Sequence, residues 1–108
     1  MKTKILIVED EAIVAKDISV CLERIGYEVI GTFSKGEKAL IFLEENTPDL
    51  VLMDIMLAGN ISGIDASARI KKDYDIPVVF LTAYADEKTI SRAKITEPYG
   101  YIIKPFKE

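Results

Sequence analysis

Polar side chains with reactive groups follow four largely apolar segments of the chain. The segments span residues 5–8, 50–53, 78–81 and 99–103, and the residues that follow them are Glu9 with Asp10, Asp54, Thr82 and Lys104. If a fold brought carboxylates within about 5 Å of one another, each pair would repel by roughly 3 kcal/mol at an effective dielectric constant near 20. Such a cluster invites a hard divalent cation such as Mg²⁺. An aspartate nucleophile, a metal, an amine and a hydroxyl together suit phosphoryl transfer to a carboxylate.

Each of these residues also has an ordinary structural explanation. Asp54 could cap a turn, and the acids at 9–11 could simply place negative charge at a helix N-terminus. Thr82 is a common type of strand residue, and Lys104 could be a solvated surface lysine. Their occurrence together, at the ends of four predicted strands, favours the chemical interpretation over four separate structural ones.

The alternation of apolar runs with amphipathic stretches predicts five strands and four helices. The predicted strands are residues 4–8, 27–32, 50–54, 78–82 and 99–103. The predicted helices lie between residues 11 and 26, 34 and 46, 62 and 74, and 86 and 94. A βα series of this kind gives a mainly parallel sheet with right-handed crossovers and helices on both faces. Because the carboxyl ends of parallel strands share one edge of the sheet, the polar residues are expected to meet there.

Helix-end signals accompany the apolar periodicity. Gly26 is a stop signal after the first helix, Ser34 and Glu37 have the spacing of a capping box at the second, and Ser62 with Asp65 predicts the start of the third. The expected inward-facing residues are Val14, Ile18, Cys21, Leu22 and Ile25 in the first helix, and Ala39, Leu40 and Leu43 in the second.

Composition narrows the class of protein. A chain of 108 residues, 49% hydrophobic and 30% charged, suits one compact domain. A net charge of −4 without a basic run argues against sequence-independent nucleic-acid binding. The absence of histidine excludes a Ser-His-Asp triad, a histidine zinc site and a phosphohistidine. A single cysteine, Cys21, and the lack of an apolar run near the ~20 residues of a membrane span predict a cytoplasmic location.

Along its whole length the chain resembles the receiver domains of two-component response regulators. The matching stretches are IVEDE at 7–11, DLVLMDIM at 49–56, VFLTA at 79–83 and GYIIKPF at 100–106. The resemblance implies a flavodoxin-like (CheY-like) doubly wound sheet of five parallel strands in the order 2-1-3-4-5. It also implies a signalling domain, not an enzyme, whose chemistry is limited to its own phosphorylation and dephosphorylation.

The resemblance assigns a phosphoacceptor and a metal site. Asp54 would accept a phosphoryl group from the phosphohistidine of a sensor histidine kinase or a phosphotransfer protein. Asp10 would bind Mg²⁺ directly and Glu9 through water, with Asp54 and the backbone carbonyl of Met56 as the other protein ligands. The expected output is a downstream effector or a covalently attached output domain.

Other family roles fall on the last quarter of the chain. Lys104 would pair with the phosphoryl group, Thr82 would move to bond one of its oxygens, and Tyr101 would then swing inward. The small Ala83 leaves room for that movement. Lys104-Pro105 is expected to be a cis peptide that places the lysine amine over the site.

The sequence departs from the family pattern in the loop after Met56, which lacks the usual proline near Ala58 and has one residue more. The shape of residues 57–63 is therefore left open. Met56 and Tyr84, the positions expected to flank the phosphoryl group, are bulky and neither is an acid able to orient water. An aspartyl phosphate that hydrolyses slowly is predicted.

Residues 1–108 are expected to form one receiver domain without its last helix or any output domain, because the chain stops after the fifth strand. That helix would normally cover Ile13 and Val20, which form an apolar spot to one side of the first helix. Leaving this spot in water is unfavourable, and exposed apolar patches mark interfaces. Self-association as a homodimer, or a longer chain that supplies the helix, is expected.

Three alternatives remain open on the sequence. A degenerate receiver used only for docking would share the fold without the chemistry. A flavodoxin would need a hydroxyl- and glycine-rich phosphate loop where this chain has acids at 9–11. A haloacid-dehalogenase-type phosphatase would need a second aspartate at the position of Met56.

Overall fold

The computed structural model describes residues 2–55, 57, 59–82 and 100–103. These residues form five strands and three helices. The strands are β1 (Lys4–Val8), β2 (Glu28–Phe33), β3 (Leu50–Asp54), β4 (Val78–Thr82) and β5 (Gly100–Ile103). The helices are α1 (Ala12–Ile25), α2 (Gly36–Phe42) and α3 (Gly63–Tyr74). The helix predicted for residues 86–94 lies outside the described residues.

The sheet has the order β2-β1-β3-β4-β5, and every neighbouring pair is parallel. This confirms the predicted fold class and strand order. β3 is the central strand, and its register pairs Met53 with Val8 of β1 and Asp54 with Leu81 of β4. The carboxyl ends of β1, β3 and β4 are therefore level with one another at one edge of the sheet.

Two hydrophobic clusters cover the two faces of the sheet. One packs beneath α2 and α3 and includes Val8, Met53 and Phe80. The other packs beneath α1 and includes Ile7 and Leu52. Successive strand residues point to opposite faces, so the wholly apolar β1 and β3 supply both clusters. Burial on both faces fixes the central strands and the loops that leave their ends.

The buried face of α1 differs slightly from the expected one. Ala15, Ile18 and Leu22 are buried, whereas Ile25 is 57% exposed. Since successive helical residues are about 100° apart, Ile25 lies close to this face, and its exposure follows from its place as the last residue of α1. Cys21 is half-buried at the rim of the face. The predicted burial of Ile25 was wrong. Gly26, with φ 116°, ends the helix as expected.

The start of α2 also differs from expectation, whereas α3 begins as predicted. Lys35, not Ser34, is the N-cap of α2, and no side chain caps that helix. Glu37 is therefore the second helical residue instead of the third, the position that a capping box requires. In α3 the capping box is present: Ser62 accepts from the Asp65 N–H and the Asp65 carboxylate accepts from the Ser62 N–H.

Candidate functional site

Three carboxylates meet at the edge of the sheet where β1 and β3 end. We call Glu9, Asp10 and Asp54 the acid cluster; each offers a carboxylate oxygen, and these oxygens lie within 4.8 Å of one another. Glu9 and Asp54 are only 2% and 3% exposed, while Asp10 is exposed. Of the three side chains, that of Asp10 is therefore the one open to solvent.

The backbone around β1 holds Glu9 in this position. Its N–H donates to the Phe33 carbonyl at 2.8 Å, which continues the pairing with β2 past Val8. Its carboxylate accepts from the Glu11 N–H at 3.0 Å, so the side chain is held across the turn that leads into α1. Asp10 lies in that turn, next to the end of β3.

On the other side, the start of α3 packs directly against the end of β3. The N–H of Gly63 donates to the Ile55 carbonyl at 3.0 Å, and the Ile55 N–H donates to the Leu81 carbonyl at 3.2 Å. A Cβ atom on Gly63 would overlap the carbonyl oxygen of Asp54. Only glycine permits this close approach, so Gly63 is a residue of the site region that sequence reasoning did not single out.

A fourth carboxylate, that of Glu37, lies against the loop between β3 and α3. Its Oε2 accepts from the Asn60 N–H at 3.4 Å. The pKa of Glu37 is lowered, first by the hydrogen bond from its own backbone N–H. The N–H groups of Asn60 and Ile61 and the charge of Lys35 lower it further, while burial opposes the shift. We call Glu37 with the backbone of residues 59–61 the Glu37 clamp.

The remaining predicted site residues are described only in part or not at all. Thr82 ends β4 and pairs with Ile103, and Tyr101 pairs with Phe80, so β5 runs beside β4 as expected. The other predicted positions lie outside the described residues: Met56, Ala83, Tyr84, Lys104 and Pro105.

The donor set of the acid cluster fits a hard divalent cation. Carboxylate oxygens are the ligands that Mg²⁺ prefers, and Mg²⁺ sites commonly use one or two carboxylates with water completing the shell. A bound cation would also offset the repulsion of roughly 3 kcal/mol between neighbouring carboxylates at this separation. Geometry and charge at the cluster are thus those expected of a magnesium site.

The family model for the response regulator receiver domain matches residues 5–108. The chain belongs to the response regulator receiver family. It is 36% identical over 103 residues to the transcriptional regulatory protein PdtaR of Mycobacterium tuberculosis, covering 95% of this chain and 50% of that protein. It is 39% identical over 107 residues to the phyllosphere-induced regulator PhyR of Methylorubrum extorquens, covering 98% and 39%. The chain thus spans half or less of the length of these curated relatives.

Solved structures agree. The signal receiver domain of a modulated diguanylate cyclase from Desulfovibrio desulfuricans is 37% identical with a TM-score of 0.93, over 99% of this chain and 85% of that one. The family match sets aside the flavodoxin and haloacid-dehalogenase alternatives. As a receiver domain, the chain is a signalling domain of two-component systems. Among the described residues, no helix has the length and apolar character needed to cross a membrane.

Proposed function

We propose that this chain accepts a phosphoryl group on Asp54 in a phosphorelay and thereby controls a downstream partner or an attached output domain. One observation carries the proposal. In a chain of the receiver family, the Asp54 carboxylate is buried at the end of the central strand, within 4.8 Å of the carboxylates of Glu9 and Asp10. A carboxylate there is a nucleophile beside a ready-made cation site.

The reaction transfers a phosphoryl group from the histidine of the donor to Asp54. A carboxylate oxygen of Asp54 forms a bond to the phosphorus of a phosphohistidine, the P–N bond breaks, and the imidazole leaves with the electron pair. Water later cleaves the acyl phosphate, which releases inorganic phosphate and regenerates Asp54. Hydrolysis is proposed to be slow because Met56 and Tyr84 are bulky. The proposed chemistry of the domain is limited to these two reactions.

Glu9, Asp10 and Asp54, with the Met56 carbonyl, are the residues proposed to hold Mg²⁺. When bound, the ion supplies positive charge against the carboxylates and the phosphoryl oxygens. Lys104 and Thr82 are proposed to hold the phosphoryl oxygens, and Tyr101 to move with Thr82 as the switch that a partner recognises.

The proposed phosphoryl donor is a cytoplasmic sensor histidine kinase or a phosphotransfer protein. The name of the mycobacterial relative makes control of transcription one proposed output. Ile13 and Val20 are 79% and 45% exposed on α1, and a homodimer that buries this apolar spot is proposed on that ground.

Phosphorylation by acetyl phosphate tests the proposal. Incubated with acetyl phosphate and Mg²⁺, the protein is expected to gain one phosphoryl group by intact mass, and Asp54→Asn should abolish the gain. Asp17→Asn, which changes an exposed aspartate of α1, should leave it unchanged. Labelling that persists in Asp54→Asn would refute the assignment. An unlabelled parent protein would favour a receiver used only for docking.

A further inference from the structure

The loop between β3 and α3 is fixed at its two ends by backbone hydrogen bonds next to the acid cluster. Its first residue, Ile55, donates to Leu81 of β4, and Gly63 at the start of α3 donates back to the Ile55 carbonyl. The loop residues between these points must therefore leave the end of β3 and return to it. A contact to the middle of the loop therefore acts on a short segment that is held at both ends.

The Glu37 carboxylate contacts the middle of this loop. A Cβ atom on Gly59 would lie 2.9 Å from Oε2 and 3.0 Å from Oε1 of Glu37. Gly59 also has φ 101°, a conformation that favours glycine. The glycine thus lets the loop backbone approach the carboxylate closely enough for the Asn60 N–H to donate to it.

The backbone that carries Glu37 is itself packed tightly against the loop and α3. A Cβ atom on Gly36 would lie 3.1 Å from side-chain atoms of both Ile61 and Ala66. Gly36 is buried, and Ile61 packs against the hydrophobic cluster beneath α2 and α3. The start of α2 is therefore a rigid support from which the Glu37 side chain reaches the loop.

We propose that Glu37 is a positioning residue for the phosphoacceptor site: by binding the loop backbone at residues 59–61, it fixes the chain that follows Asp54 and so sets the Mg²⁺ affinity of the acid cluster. The inference rests on the proposed function, because that loop includes Met56, the proposed carbonyl ligand. A carboxylate suits this task because its Oε2 accepts from the Asn60 N–H, whereas the NH₂ group of a glutamine amide cannot accept and would face that donor if it took the place of Oε2.

Glu37→Gln is the test variant, and Glu44→Gln is its matched control, because Glu44 is exposed and follows α2. Two quantities are measured: amide hydrogen exchange at Asn60 and Ile61 in metal-free protein, and the dissociation constant for Mg²⁺ by calorimetry. In Glu37→Gln both amides are expected to exchange about tenfold faster and Mg²⁺ to bind about three- to tenfold more weakly, the range expected for one charge-assisted hydrogen bond. Glu44→Gln should change neither.

A third measurement separates positioning from general destabilisation. The rate of phosphorylation by acetyl phosphate in Glu37→Gln should be low at limiting Mg²⁺ and return to the parent rate at saturating Mg²⁺. A deficit that saturating Mg²⁺ does not restore would overturn the inference, as would unchanged exchange and affinity, or an equal loss in Glu44→Gln. Glu37→Asp keeps the charge but shortens the side chain, and it is also expected to lose amide protection and Mg²⁺ affinity.

Failure of the proposed function and failure of the role of Glu37 give different results. If the parent protein binds Mg²⁺ but accepts no phosphoryl group, the proposed function fails, and the exchange and affinity measurements still decide the role of Glu37. If the parent is phosphorylated and Glu37→Gln matches it in exchange, affinity and rate, the role of Glu37 alone is refuted.

Discussion

The acid cluster and the Glu37 clamp both consist of carboxylates held at loops beyond the strand ends, yet the two are stabilised in opposite ways. In the acid cluster, carboxylates face one another within 4.8 Å, and like charges at that separation repel one another. In the Glu37 clamp, one carboxylate faces backbone N–H groups, which lower its pKa. There Oε2 accepts from the Asn60 N–H, while Oε1 is buried without a hydrogen-bond partner among the described residues.

The difference shows that carboxylates can serve two purposes in one domain, binding a ligand in the acid cluster and binding the backbone in the Glu37 clamp. A carboxylate that faces backbone N–H groups is stabilised by the protein itself, whereas the repulsion between neighbouring carboxylates is reduced when a cation binds. The two regions are joined by the loop that runs from Asp54 to Gly63. Substitutions in each region, and at their junction, should therefore have effects that differ in sign and in dependence on Mg²⁺.

The largest expected effect is at the junction, with Gly63→Ala. Helix propensity alone would favour alanine, but its Cβ would overlap the Asp54 carbonyl oxygen. Relieving a clash with backbone requires α3 to shift, which should cost about 3 kcal/mol of unfolding free energy. Denaturant unfolding measures it.

Gly26→Ala is the matched control for that substitution. Gly26 has φ 116° but no atom within 4 Å of an added Cβ. Gly26→Ala should therefore lower the free energy of unfolding only by the strain of a left-handed conformation in a residue other than glycine, about 1–2 kcal/mol. A smaller loss at Gly63 than at Gly26 would show that α3 can move away from Asp54 easily, and that the two carboxylate regions are not rigidly joined.

The next effect concerns the acid cluster, through Asp10→Asn. Removing a proposed direct ligand should weaken Mg²⁺ binding by on the order of 10- to 100-fold, measured by calorimetry. Without metal the same change should stabilise the fold, by roughly 0.5 kcal/mol after allowance for the exposure of Asp10, because it removes a repulsive charge. Asp17→Asn is the control. Unchanged affinity, or a loss of stability without metal, would remove the contrast with the Glu37 clamp.

The acid cluster could be predicted from sequence because topology alone brings it together. Apolar runs at β1 and β3 predict buried neighbouring parallel strands, and residues that follow such strands share one sheet edge. Asp54 and Glu9 needed no further information. The strand order 2-1-3-4-5 was implied by the resemblance to receiver domains, and the start of α3 was predicted from the local spacing of Ser62 and Asp65.

The Glu37 clamp could not be predicted in this way. Its hydrogen bond joins residues 23 positions apart, Glu37 and Asn60, and depends on how α2 packs on a loop of unusual length. A shift of one residue at the start of α2 moved Glu37 from the third helical position to the second, which removed the local role that its spacing suggested. The close approach of Gly63 to Asp54 is likewise a tertiary contact without a local signal.

The smallest expected effect is the dependence of the Glu37 clamp on pH. The lowered pKa of Glu37 means that the folded state binds a proton less readily there than the unfolded state, whose value is near 4.5. The ionised carboxylate therefore stabilises the fold above that pH, and the contribution disappears as pH falls through the lower folded-state pKa. In metal-free protein, the Tm values of the parent and Glu37→Gln should accordingly differ by about one or two degrees at neutral pH. The difference is small because the carboxylate is partly exposed. The two Tm values should converge at pH values below the folded-state pKa of Glu37. Glu44→Gln should follow the parent throughout. A difference that stays constant into strong acid would mean that Glu37 acts through the shape of its side chain and not through its charge, and the Glu37 clamp would then not be the electrostatic opposite of the acid cluster.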